Sequence, residues 1–146
     1  MSLNWVMLKE GNPPFVLLPE ETLKFQSPER NGIELKAKYE KGAANITATG
    51  RIFLTTKRIV FVSSHGDFNS FTILFPQIKA HTLEQPWFGP NRWRGSFVNE
   101  SLENGLRQEV YDFTLVFNEG GAFEFVKMFD KVFTDVGEQL PAYSER

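Results

Sequence analysis

The chain has 146 residues, with 16 Lys+Arg against 18 Asp+Glu, so its formal net charge is −2 and little electrostatic drive toward nucleic acid follows. The absence of cysteine removes disulfides, thiolate metal sites and cysteine nucleophiles, and with two His zinc is not expected. With 41% hydrophobic residues, 15 of them Phe, the length suits one domain with a sizeable core.

Residues 1–32 carry Pro13-Pro14, Pro19 and Pro28 with Gly11 and Gly32, which suits an extended, irregular lead-in. From Ile33 the pattern changes. Ile33, Leu35, Ala37 and Tyr39 alternate with Glu34, Lys36, Lys38 and Glu40, the period of two of a strand with one wet face. After a loop at Gly42-Ala43-Ala44-Asn45, Ile46 to Thr55 reads as a second strand. Thr56-Lys57 then turns the chain into Arg58-Ile59-Val60-Phe61-Val62, which is apolar on both faces, and the pair reads as a central hairpin. Ser63-Ser64-His65-Gly66-Asp67 is turn chemistry. Phe71 to Phe75, Ile78 to Glu84, Arg92 to Asn99 and Tyr111 to Phe117 read as further strands. Asn118-Glu119-Gly120-Gly121 resembles a hairpin turn returning through Ala122 to Phe125. Phe125, Phe129, Val132, Phe133 and Val136 then fall at helical spacing, so one amphipathic helix closes the pattern near Gly137. Seven or so antiparallel strands and a single C-terminal helix predict a mainly β fold, a pleckstrin-homology-like barrel or orthogonal sandwich plugged by the helix. The predicted organisation is a lead-in at 1–32, the domain at 33–137 and a mobile polar tail at 138–146.

The segment Gly50-Arg51-Ile52-Phe53-Leu54-Thr55-Thr56-Lys57-Arg58-Ile59-Val60-Phe61 resembles the core signature of GRAM domains. Gln85-Pro86-Trp87-Phe88-Gly89-Pro90-Asn91 followed by Gly95, and Gly120-Gly121-Ala122-Phe123-Glu124-Phe125, resemble segments of the WW domain-binding protein 2 family in the same order. The resemblance spans roughly Leu35 to Val136, and the block resembles the compact fungal members, some described as stress-induced. It implies a GRAM module of pleckstrin-homology-like fold, an adaptor and transcriptional coactivator in cytoplasm and nucleus, and WW-domain partners engaged through Pro-Pro-x-Tyr motifs. This sequence offers instead one Leu-Pro-x-Tyr, Leu140-Pro141-Ala142-Tyr143, a known variant of that ligand. Pro141 favours the polyproline II conformation before binding, and an aromatic groove accepts the Pro ring and then Tyr143. Leu140 replaces a preorganised Pro, so binding is expected to be weak, on the order of tens of micromolar.

The alternative reading is a peripheral membrane module that binds phosphoinositides. Residues 51–100 have a local balance of +3 while residues 101–146 stand at −5, and Lys57, Arg58, Arg92 and Arg94 are the candidate headgroup ligands. Arg58 serves equally well as a hairpin anchor through a hydrogen bond or ion pair. Trp87 and Phe88, between Pro86 and Gly89-Pro90, either cap the barrel or project as a knob, and capping is the expectation. Glu20-Glu21 reads as a pair of solubility charges. No catalytic constellation emerges: Ser63, Ser64, His65 and Asp67 crowd one turn, where a triad cannot converge on a substrate, and His81 reads as a strand residue. No enzyme activity, cofactor, metal or direct nucleic-acid contact is expected. No apolar run approaches the ~18–20 residues of a membrane-spanning helix, and Met1-Ser2-Leu3-Asn4 lacks a signal pattern, so the expectation is a soluble intracellular protein.

Overall fold

The computed structural model describes residues 2–3, 7–38, 45–99 and 109–138. Nine strands form one antiparallel sheet: β1 (Ser2–Leu3), β2 (Leu23–Gln26), β3 (Asn31–Ala37), β4 (Ile46–Thr55), β5 (Arg58–Gly66), β6 (Ser70–Leu74), β7 (Ile78–Glu84), β8 (Arg92–Asn99) and β9 (Glu109–Val116). The order is β1-β6-β5-β4-β3-β9-β8-β7, with β2 paired separately to β4. Among the described residues a single helix, α1 (Ala122–Glu138), follows, and one 3-10 turn at Phe75–Gln77 joins β6 to β7. The architecture is the mainly β, pleckstrin-homology-like fold that the sequence predicts.

The core forms where the inward faces of the strands meet the apolar stripe of α1. Ile33, Leu35, Ile52, Leu54, Ile59, Phe61, Phe71, Phe97, Phe113 and Leu115 are buried from the sheet, and Phe125, Phe129 and Val132 are buried from the helix. Trp93 on β8 sits at the junction, with ring centroids 5.2 Å from Phe113, 5.0 Å from Phe125 and 4.7 Å from Phe129. Tilted and edge-to-face contacts of this kind add to the burial of the rings themselves. Gly95, two residues on, lies so close to the next strand that a Cβ there would stand 2.0 Å from the Ala80 carbonyl oxygen and 2.7 Å from Phe113 Cζ. Gly50 on β4 is equally closed, with 2.1 Å to the Val62 carbonyl oxygen beside an irregularity in the β4–β5 register.

Three sequence expectations are corrected here. The segment Ala122 to Phe125 is the first turn of α1 rather than a returning strand, because β9 already pairs with β3 on one side and β8 on the other. A returning strand would find no free edge of β9 to join. The lead-in is not irregular either: β1 pairs with β6, β2 pairs with β4, and Phe15 is fully buried. Phe15, Phe53 and Val60 make a second small core, with Leu23 and Val62 packed against it. That core explains why β5 is apolar on both faces: Ile59 and Phe61 point into the barrel, while Val60 and Val62 are covered by the N-terminal segment. Of the expected turn at residues 63–67, the first four residues are the end of β5, and Asp67 just beyond it accepts the Thr47 amide at 2.9 Å.

Candidate partner-binding surfaces

The β4–β5 turn is built around Thr55. Its hydroxyl donates to the Glu21 carboxylate and accepts the amides of Lys57 and Arg58, each at 3.1 Å. Arg58 completes the arrangement: Nε and Nη2 donate to Glu21 Oε2 and Oε1 at 2.8 and 3.1 Å, and Nη2 also reaches the Val16 carbonyl at 3.2 Å. The guanidinium lies over the Phe15 ring, 5.5 Å from its centroid. Both partners of the ion pair are buried, with side-chain exposures of 7% for Arg58 and 0% for Glu21. Burial alone would raise the Glu21 carboxyl; hydrogen bonds from Arg58, Thr55 and the Leu18 amide, with the charge of Arg58, outweigh it and hold the group below the usual carboxylate range.

Arg58 is therefore a hairpin anchor that also clamps residues 15–21, and its buried charge faces no solvent that a headgroup could enter from. Its neighbour Lys57 is exposed, with Nζ donating to the Pro19 carbonyl at 2.7 Å. Glu21, read from sequence as a solubility charge, is the partner that sequence reasoning missed. The signal was present, since Glu21, Leu23 and Phe25 alternate with exposed Thr22, Lys24 and Gln26, placing Glu21 on the inward side of the strand that follows.

Arg92 and Arg94 project from the outward face of β8, separated from the β4–β5 turn by β3 and β9 in the sheet order. Both reach the same carboxylate: Arg94 Nη1 lies 3.0 Å from Glu84 Oε2, and Arg92 Nε lies 3.8 Å from Glu84 Oε1. Glu34 joins these two arginines with Thr114 and Val116 around an open cleft of about 290 Å³. Two carboxylates thus temper two cations, and the four predicted headgroup ligands divide between two regions rather than forming one basic surface.

Trp87 and Phe88 do not cap the barrel. They stand 97% and 91% exposed at the tip of the β7–β8 loop. The helix explains the correction, because Phe125 and Phe129 already close that side of the core against Trp93 and leave the loop rings nothing to fill. His81 on β7 packs its ring on Phe129, Phe133 and Trp93, at centroid distances of 4.9, 5.6 and 5.6 Å. Ser63 and Ser64 both donate to the Thr49 carbonyl. Among the described residues no group of three or more His, Asp or Glu is arranged to hold a metal ion, and no helix is long and apolar enough to cross a membrane.

A further cleft, of about 390 Å³, opens between β2 and α1 and is lined by Lys24, Phe25, Glu124, Lys127, Met128 and Lys131. Sequence reading passed over it because its residues lie a hundred positions apart and only packing brings them together. The predicted ligand residues Leu140, Pro141 and Tyr143 lie outside the described residues; α1 ends at Glu138, two positions before them.

Comparison with known proteins adds the remaining findings. A family model described as the GRAM domain matches residues 11–133. A stress-induced protein of Schizosaccharomyces pombe is 31% identical over 134 residues, covering 90% of this chain and 76% of its own length. The postacrosomal sheath WW domain-binding protein of Macaca fascicularis is 34% identical over 128 residues, covering 83% of this chain and 48% of its own length; in its Homo sapiens counterpart the values are 29%, 86% and 41%. The chain thus spans less than half of these two WW domain-binding relatives. Among solved structures the Vps36 N-terminal PH domain superimposes with a TM-score of 0.65 at 17% identity, over 92% of this chain and 95% of that one, a likeness of fold.

Proposed function

The chain belongs to the GRAM-domain family, and from that premise we propose that it is a non-catalytic adaptor recruiting WW-domain proteins through Leu140-Pro141-Ala142-Tyr143. The observation that carries this reading is the Leu-Pro-x-Tyr motif, placed just after α1 in a chain 34% identical to a protein named for WW-domain binding. The filled core supports it: Trp93, Phe97, Phe113, Phe125 and Phe129 occupy the interior, so a ligand has to be met at the surface or in the tail. The working arrangement is a rigid barrel whose last helix presents a short polyproline-type ligand, with Pro141 and Tyr143 filling adjacent slots of a WW groove. Residence in cytoplasm and nucleus, and a coactivator or stress-response role, belong to the same proposal; the name of the Schizosaccharomyces pombe relative supports the stress connection.

Calorimetric titration of the full chain against a panel of WW domains tests the reading. Heat with one or a few domains, with a Kd of about tens of micromolar and loss on Tyr143→Ala, is the expected result. Heat unaffected by that substitution, or none with any domain, refutes it. A parallel titration with phosphoinositide vesicles addresses the second reading, favoured by the PH-like fold, in which a headgroup is met either by Lys57 at the β4–β5 turn or by Arg92 and Arg94 on β8. Binding there falls steeply with salt and is indifferent to Tyr143.

A further inference from the structure

The cleft between β2 and α1 combines an apolar floor with a cationic rim. Phe25 and Met128 are half-buried at its base, and Phe25 is held there by an edge-on contact with Phe125 at 5.5 Å. Lys24 stands on the strand side, Lys127 and Lys131 on the helix side, and Glu124 is the one acidic residue in the lining. Among the described residues none of these four charged groups has an ion-pair partner. Lys127 and Lys131 are one helical turn apart, a like-charge spacing that weakens the helix slightly and does nothing for the barrel. The pattern is local, since residues 101–146 as a whole carry a balance of −5.

We infer that this cleft is a docking site for an acidic peptide segment of a partner protein, one in which Asp or Glu residues flank a bulky apolar side chain. Charge complementarity selects the acidic flanks, because three cations meet one carboxylate. The half-buried Phe25 and Met128 select the apolar anchor, and about 390 Å³ accommodates one large side chain with its neighbours. The apolar surface is recessed between strand and helix, which suits an inserted side chain; a bilayer would demand projecting apolar groups. The inference does not rest on the Tyr143 motif, which supplies none of the lining residues named.

The test uses the full chain, isotopically labelled for amide correlation spectra, and a synthetic peptide with one Trp flanked on each side by two Glu in a Gly/Ser frame. The expected result is saturable shifts at Lys24, Phe25, Lys127, Met128 and Lys131. Affinity should fall about tenfold or more in Lys127→Glu/Lys131→Glu, and several-fold between about 0.05 and about 0.5 M salt. The variant alters exposed side chains, so an unchanged melting temperature separates lost binding from lost folding. Tyr143→Ala should leave the shifts intact. Equal shifts with a Lys-flanked peptide, shifts scattered away from the cleft, unchanged affinity in the double variant, or no shift at millimolar peptide would each overturn the inference. So would shifts at these residues with phosphatidylserine vesicles and none with the peptide.

Discussion

Replacing Arg58 by Ala removes a guanidinium that contacts both Glu21 carboxylate oxygens and the Val16 carbonyl, and leaves a fully buried carboxylate with only the Thr55 hydroxyl and the Leu18 amide. Breaking one side of a buried pair in this way costs about 3–5 kcal/mol, most of it the penalty of the stranded charge. For a chain of this size that corresponds to a fall in Tm of about 10–15 °C. Glu21→Gln strands the arginine instead and should cost a similar amount. The double variant Glu21→Leu/Arg58→Met removes both charges while keeping bulk, and should return to within about 1–2 kcal/mol of the native protein. Urea unfolding at pH 7 of Glu21→Leu, Arg58→Met and their double variant beside the native protein, followed by circular dichroism, supplies the four corners of the cycle, with an expected coupling of roughly 4 kcal/mol or more. Single-variant losses below about 1 kcal/mol, or a double variant equal to the sum of the singles, would refute the reasoning.

The same pair makes stability pH-dependent: the Glu21 carboxyl is held below its ordinary value near 4.5, so the unfolded chain binds the proton more readily. The contribution is complete above that value and is lost as pH falls through the lower native one; the acid-side drop in Tm should be shallower in Glu21→Gln than in the native protein. Gly95→Ala should lower Tm by several degrees because its Cβ meets the Ala80 carbonyl, whereas Gly32→Ala, whose nearest contact is 3.6 Å, should stay within about 2 °C; equal melting would show the approach at Gly95 to be loose. Trp87→Ala should leave Tm within about 1 °C, since the ring is 97% exposed; a fall of several degrees would restore a capping role. Phe15→Ala should cost about 3–5 kcal/mol by emptying the small core with Phe53 and Val60, and a loss under about 1 kcal/mol would detach the N-terminal segment from the fold.

Local periodicity carried most of the sheet. The strands Ile46–Thr55, Ile78–Glu84 and Arg92–Asn99 have the bounds that their alternation and turn residues predict, because each is flanked by Pro, Gly or Asn punctuation. What escaped was decided by partners distant in sequence. Leu23 to Gln26 alternates only when Glu21 and Thr22 are read with it, and it becomes a strand because β4 offers it an edge. Ala122 to Phe125 alternates like a strand and is helical because β9 has no edge to give. The candidate site divides along the same line: the tail motif is local and readable, whereas Arg58 could be told from a surface cation only by finding Glu21 on the other side of it. The cleft of Lys24 and Lys131 had no local signature at all.

The sheet order has a consequence for how the molecule comes to be. β3 lies between β4 and β9, with Ile33 opposite Ala48 on one side and Leu115 on the other, and β1 waits on β6. The β4–β5 hairpin is a long pairing between neighbours joined by the two-residue turn Thr56-Lys57, so it is the natural nucleus. On a ribosome, the hairpin and the N-terminal clamp can assemble early. The barrel cannot close until Val116 has emerged, and its aromatic interior stays open to water until α1 has followed.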